Sequence, residues 1–203
     1  IAQWCSVVRR LDGFNRHVSE ALDLKSDLMI DNASNIKVGI ENVDVFLPNK
    51  NKDILIKDCT IDLMKYQSLL IMGASGVGKS TLLRTLAGLW PYAKGNVYLP
   101  KEEEFLFLPQ RPYLPLGSLR QAISYPVVEE VISEKYSDEE IKEILIACKL
   151  ENLADKLDIV DDWSRILSLG EQQRIAFVRI LLYRPEFVFL DEATSALDED
   201  LEG

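Results

Sequence analysis

The chain has 203 residues, 47% hydrophobic and 28% charged, with a formal net charge of -10. That length suits one domain of ordinary size, or one domain with an inserted lobe, with enough mass to bury a core, and the composition excludes a disordered or fibrous chain. The acidic balance argues against a nucleic-acid partner, although an acidic body can carry a local basic site for phosphate.

In chain order, Trp4, Val7, Val8, Leu11, Phe14, Val18 and Leu22 recur at three- and four-residue steps, which predicts an amphipathic helix, either core-facing or partner-docking. The polar run Asp31 to Asn35 reads as a linker, and the domain is expected to start near Ile36. Val38, Ile40, Val43 and Val45 predict a strand, Asn49 to Lys52 a turn, and Ile54 to Leu63 a further strand region, together a small antiparallel sheet. Leu69 to Met72 is a continuous apolar run expected to form a strand buried on both faces. It leads into Gly73-Ala-Ser-Gly-Val-Gly-Lys79-Ser80 and a helix packed through Leu82, Leu83 and Leu86, which Pro91 helps to end.

An acidic, helical stretch starts near Ser118 and is expected to form a lobe of its own, about residues 118–180. Ser137 and Glu140 have capping-box spacing, and Ile141, Ile144, Leu145 and Cys148 then form one apolar stripe. Glu129, Glu130, Glu134, Asp138 and Glu139 read as a solvated face, not as a metal site. Ser168 and Glu171 repeat the capping-box spacing ahead of Ile175, Val178 and Leu182, and Pro185 closes that helix. Phe187 to Leu190 predicts a central strand with Asp191 and Glu192 at its C-terminal end, where open α/β sheets put their ligands. With no closing element visible after that strand, the domain is expected to be C-terminally truncated.

Cys5, Cys59 and Cys148 are far apart and lack metal-ligand spacing, so reduced thiols packed as small hydrophobes are expected, in a reducing compartment. No uninterrupted apolar run is long enough to span a bilayer, and the chain begins without a charged-then-apolar leader. A membrane role would come through a partner.

The glycine loop carries the chemistry most plainly. A backbone wrapped around a polyphosphate must turn sharply and present its amides, and the helix N-terminus behind it adds partial positive charge. Gly73, Ala74, Ser75, Gly76, Val77, Gly78, Lys79, Ser80 and Thr81 are therefore the candidate phosphate cradle, with Lys79 as a point charge for the outer phosphates and Ser80 as a magnesium ligand. Asp191 is the second candidate magnesium ligand, and Glu192 is placed to orient or deprotonate the water that attacks the terminal phosphate. The Ser168 end of its helix, with bare Gly170, is a second anion site. Two such sites imply a second nucleotide, or one nucleotide shared between two chains.

In combination these segments resemble the ATP-binding cassette ATPases, with Gly73 to Ser80 as Walker A, Gln110 as the Q-loop, Leu167 to Glu171 as the signature, Phe187 to Glu192 as Walker B and Ser195 to Asp198 as the D-loop. The likeness covers roughly Ile36 to the end. Gly88-Leu-Trp-Pro91, Leu108-Pro-Gln-Arg-Pro-Tyr113, Gly117-Ser-Leu-Arg120, Asp162-Trp163 and Asp200-Leu-Glu-Gly203 are similar to class D half-transporters, the peroxisomal fatty-acyl type, and their bacterial relatives.

The resemblance implies an α/β fold: a P-loop NTPase core of the RecA type, an antiparallel β subdomain and an inserted helical subdomain. Residues 1–35 would be a helix and linker from a transmembrane domain of the same polypeptide, and residues 36–203 the ATPase domain on the cytoplasmic face of a membrane, bacterial inner or peroxisomal. It implies ATP and magnesium as ligands, with Gln110 sensing magnesium and the nucleophilic water beside the catalytic Glu192 and Lys79. It implies a homodimer, or paired domains, in which Ser168, Gly170 and Glu171 meet the ATP of the other subunit and Asp198 crosses the interface.

Three departures from the family pattern stand out. Leu169 replaces the first signature glycine, and Glu171 stands where Gln is common. The adenine-stacking position aligns near Leu47, with Phe46 beside it. The family's switch histidine follows the D-loop, whereas the one histidine here is His17. A module that holds Mg-ATP but hydrolyses it poorly is thus one alternative to a transport ATPase. The other is a soluble cassette ATPase, which the acidic charge, the lack of a long coiled-coil insertion and the linker-like first helix all disfavour.

Overall fold

A computed structural model describes residues 2–22, 27–32, 37–49, 51, 53–101 and 104–192. The chain divides into two compact units, Ile1–Leu99 and Pro100–Gly203, and is mixed α/β.

In the first unit, α1 (Ala2–Leu22) is the expected helix. Val7, Val8, Leu11, Phe14 and Val18 are exposed, so this stripe is not core-facing. No helix among the described residues is long and apolar enough to cross a membrane.

Strands β1 (Asp27–Asp31), β2 (Lys37–Phe46), β3 (Ile54–Met64) and β4 (Ala93–Tyr98) form a sheet in the order β1-β4-β2-β3. β2 pairs antiparallel with β3 and β4, and β1 pairs parallel with β4. Strict alternation would send Ile40 and Val43 to opposite faces, yet both are buried together with Val38 and Val45. A register shift between Ile40 and Val43, with Asn42 at φ 51, inserts the extra residue that turns both inward. Gly95 on β4 faces this bulge at φ 130, and a Cβ there would sit 2.6 Å from the Asn42 carbonyl oxygen, so only glycine fits. β1 lies upstream of Ile36, so strand pairing reaches further towards the N-terminus than the predicted start of the domain.

One expectation is overturned. Leu69 to Met72 is not a strand buried on both faces: it has no regular structure, and Leu70 and Met72 are 80% and 81% exposed. An apolar run becomes a buried strand only where neighbours pair with its backbone. The described strands of this unit are committed to the β1-β4-β2-β3 sheet.

The following helix, α2 (Lys79–Leu86), starts at Gly78 and buries Thr85 and Leu86. Its end is set by Gly88, ahead of Pro91: Gly88 is left-handed at φ 71, and the amides of Gly88 and Leu89 return to the Thr85 and Arg84 carbonyls.

In the second unit, β5 (Phe105–Leu108) pairs in parallel with β8 (Phe187–Leu190), Phe105 opposite Phe187 and Leu108 opposite Leu190. Edge-on contact between Phe105 and Phe189, ring centroids 5.9 Å apart, packs the two strands together. Two-residue strands β6 (Gly117–Ser118) and β7 (Val160–Asp161) pair antiparallel and frame the helical lobe.

The lobe comprises α3 (Leu119–Ser124), α4 (Glu129–Lys135), α5 (Asp138–Ala147), a 3-10 turn at Glu151–Leu153, α6 (Trp163–Ile166) and α7 (Leu169–Tyr183). Its core joins Leu119 and Ile123 of α3 to Ile141 and Leu145 of α5 and Ile175, Val178 and Leu182 of α7. For α5 and α7 that is the apolar patterning expected from the sequence, and Leu119 and Ile123 of α3 join it. Capping boxes at Ser118/Gln121, Ser137/Glu140 and Ser168/Glu171 start α3, α5 and α7, each tying up amides that would otherwise lack helical partners. Arg120 joins α3 to Asp138 on α5 at 2.8 Å and to Asp158 at 3.1 Å. Cys148 is a buried free thiol whose pKa is pushed up by burial, and Cys59 is a half-buried one; the side chain of Cys5 lies outside the described set.

Candidate functional site

Residues 73–78 join the exposed apolar run to α2. Gly76 and Gly78 are left-handed, at φ 79 and 101. At Gly78 a Cβ would also fall 2.8 Å from the Leu55 side chain on β3, so the loop is compatible with glycine alone at the helix entrance. Gly78 caps α2 without a side-chain hydrogen bond, which leaves the first helical turn presenting amides and the positive end of the helix dipole. Lys79 Nζ donates to the Gly73 and Ala74 carbonyls, each at 2.8 Å. Its ammonium is thereby folded back over the loop that the amides line. Ser80 and Thr81 follow in the first turn of α2, both half-buried. The arrangement is a cationic, amide-rich cradle of the kind that holds a polyphosphate.

Phe46 and Leu47 lie at the end of β2. The Phe46 amide donates to the Tyr92 carbonyl and its own carbonyl accepts from Trp90 Nε1 at 3.2 Å. Leu47 is exposed beyond it, its amide bonded to the Asp53 carbonyl.

The second unit brings two expected site residues into direct contact. β5 and β8 run parallel, so the residues after each strand emerge at the same edge: Gln110 two beyond Leu108, and Asp191 and Glu192 directly after Leu190. Gln110 Nε2 donates to Glu192 Oε2 at 2.9 Å across 82 residues of sequence. Asp191 is only 5% exposed, and its amide donates to the Leu108 carbonyl. Glu192 is exposed, with a left-handed backbone at φ 50. The pair therefore divides into a buried Asp191 whose backbone is tied to the end of β5 and a solvent-facing Glu192 that touches the Gln110 amide.

At the start of α7, Ser168 Oγ accepts from the Glu171 amide, while the Ser168 amide and hydroxyl both donate to Glu171 Oε2 at 2.9 Å. Asn152 Nδ2 adds a bond to Glu171 Oε1. Burial pulls the Glu171 carboxyl upward, but the Ser168 and Asn152 bonds and nearby Arg174 outweigh it and hold the group below its ordinary 4.5. A depressed carboxyl adds stability that is complete above the ordinary value and is lost as pH falls through the folded-state value. Thermal melting between pH 6 and pH 3 is thus expected to drop more steeply for the wild-type protein than for Glu171→Gln below about pH 4.5. Parallel curves would contradict that role for the carboxylate. Gly170 is half-buried and Leu169 exposed in this first turn. Ser195 and Asp198 lie outside the described residues.

Three further residues around these groups carry no motif in the sequence. Gln173 of α7 is fully buried and donates from Nε2 to the Gln110 carbonyl at 3.2 Å. Arg179 is buried and donates from Nη2 to the Tyr113 and Ala122 carbonyls at 2.8 and 2.7 Å, with its guanidinium 5.4 Å from the Tyr125 ring centroid. Burial brings its pKa down to about 10. Asn152 is the third. Arg179 did leave a signal: it falls four residues after Ile175 and three before Leu182, on the apolar stripe of its own helix.

The family model described as ABC transporter matches residues 56–195. An uncharacterized ABC transporter ATP-binding protein of Haemophilus influenzae is 51% identical over 148 residues, which cover 73% of this chain and 24% of the relative. ATP-binding cassette sub-family D member 3 of Homo sapiens is 34% identical over 225 residues, 96% of this chain and 34% of the relative. Sub-family D member 1 of Drosophila melanogaster is 38% identical over 180 residues, 85% of this chain and 24% of the relative. The chain thus spans a quarter to a third of the length of these relatives. The fold matches the structure of a bacterial Atm1-family ABC exporter with ATP bound, at a TM-score of 0.64 and 22% identity, over 88% of this chain and 32% of that one.

Proposed function

The chain belongs to the ABC transporter family as an ATP-binding domain related to the sub-family D members, and from that premise we propose that it hydrolyses ATP to drive transport. The observation that carries the proposal is the Gln110 to Glu192 hydrogen bond at the ends of β5 and β8. It pairs a water-orienting amide with a candidate base.

In this mechanism the loop from Gly73 to Thr81 wraps the phosphates with its backbone amides, and Lys79 exchanges the Gly73 and Ala74 carbonyls for phosphate oxygens. Phe46 and Leu47 offer the adenine an apolar shelf. Magnesium would be held by hard oxygen donors: Gln110 and buried Asp191 would offer an amide oxygen and a carboxylate, and Ser80 of the first unit would offer a hydroxyl. When bound, that ion neutralises charge on the transferring phosphate. Glu192 accepts the proton of the attacking water, with Gln110 holding its carboxylate in place.

Ser168, Gly170 and Glu171 would contact the ATP of a second copy, the reading that their place at the α7 N-terminus supports. Each dimer then holds two composite sites. α1 would connect to a transmembrane domain of the same polypeptide, on the cytoplasmic face of its membrane.

The test is phosphate release from ATP by the intact polypeptide, with magnesium and with excess EDTA. Turnover that needs magnesium and disappears in EDTA is expected. ATP bound without phosphate release in magnesium would contradict hydrolysis and leave a binding module.

A further inference from the structure

We propose that Gln173 is the positioning residue for Gln110, so that the helix bearing the signature also sets the geometry at Glu192. The inference rests on the roles proposed above for Gln110 and Glu192. The β5-β8 ladder ends at Leu108 opposite Leu190, and the next residues are Pro109, Gln110, Arg111 and Pro112. Both prolines lack an amide donor. This stretch therefore has few backbone bonds of its own with which to hold a fixed path.

Side chains from α7 hold it instead. Gln173, 0% exposed, donates to the Gln110 carbonyl, and Arg179 donates to the Tyr113 carbonyl. One helix thereby grips both ends of residues 110–113. Arg179 is itself fixed through Ala122 of α3, so the grip is braced against the lobe. Gln110 and Glu192 are both exposed, and a hydrogen bond between two exposed side chains is weak when their backbones are free to wander. Fixing the Gln110 backbone from within the core leaves only its side-chain torsions to be ordered. Gln173 is five residues past Ser168 on the same helix, so a displacement of the α7 N-terminus is carried to Gln110 through a single rigid element.

The test is a double-mutant cycle on ATP turnover by the intact polypeptide, with wild type, Gln173→Met, Gln110→Ala and the double variant. Gln173→Met keeps length and apolar packing but has no donor, and it is expected to lower kcat by ~10-fold with KM for ATP nearly unchanged. In the Gln110→Ala background the same substitution should cost nothing further. An equal loss in both backgrounds, as from a generic core defect, would overturn the inference, and so would unchanged turnover in Gln173→Met. Should Gln173→Met fail to fold, the cycle is run with Gln173→Asn, which keeps a buried amide but is one methylene too short to reach the Gln110 carbonyl. Wild-type turnover in Gln110→Ala alone would overturn the role of Gln110 and the inference with it. A slow Gln110→Ala with an additive Gln173 effect would leave that role standing and remove only the positioning.

Discussion

Glu192→Gln is expected to slow ATP hydrolysis by ~10²–10⁴-fold, the usual worth of a positioned general base. The substitution keeps the side chain's shape and an acceptor oxygen for Gln110 Nε2, which now donates to Glu192 Oε2 at 2.9 Å. It removes only the charge and the ability to take a proton. Asp191, which lies against the end of β5, is untouched, and so is the glycine loop. ATP binding should therefore stay within a few-fold of wild type, and the dimer should persist with nucleotide trapped in it. Single-turnover phosphate release, compared with nucleotide binding on the same preparation, checks both halves. A variant that still turns over at the wild-type rate would show that Glu192 is not the base.

Lys79→Met is expected to act on the other half of the chemistry. Hydrogen bonds to charged groups contribute about 1.5–3 kcal/mol, so losing the ammonium should weaken ATP binding by ~10–150-fold. Folding should hardly change. The Gly73 and Ala74 carbonyls that Lys79 now engages lie in an exposed loop, where water can replace the ammonium, and methionine retains much of the side chain's apolar stem. Calorimetric titration with ATP, beside a thermal melt, separates the two effects. Undiminished affinity would rule out Lys79 as a phosphate ligand, and a collapse of the melt would make it a folding residue.

Features set by a few consecutive residues were legible in the sequence. The capping boxes of α5 and α7 are local hydrogen-bond patterns, and both form as their spacing implied. The stripe through Ile175, Val178 and Leu182 needs only a helical period to be seen. Features that depend on distant partners were harder to read. Leu69 to Met72 has the composition of a buried strand, but composition does not supply the neighbours that a strand requires. β1 escaped notice for the opposite reason: Asp27 and Asp31 bracket a mostly exposed segment whose strand character comes from its parallel pairing with β4.

The site divides in the same way. The glycine loop and the acidic pair could be named as candidates from residue types alone. That Gln110 belongs beside Glu192 follows from the parallel pairing of β5 and β8, and the sequence alone carried it only through family resemblance. Gln173 and Arg179 stayed hidden because their acceptors are backbone carbonyls at Gln110, Tyr113 and Ala122, which no side-chain motif records.

In the proposed mechanism one copy's glycine loop and another copy's α7 N-terminus complete a single ATP site. A direct test is to co-express the intact polypeptide carrying Lys79→Met with the same polypeptide carrying Gly170→Asp, each expected to be impaired alone, and to measure ATP turnover of the purified mixture at an ATP concentration where each parent is slow. In a mixed dimer, the Gly170→Asp copy supplies an intact loop and the Lys79→Met copy an intact α7 N-terminus, so one complete site forms. Turnover clearly above the sum of the two parents is expected. Turnover no higher than that sum, with mixed dimers shown to be present, would contradict a site shared between copies.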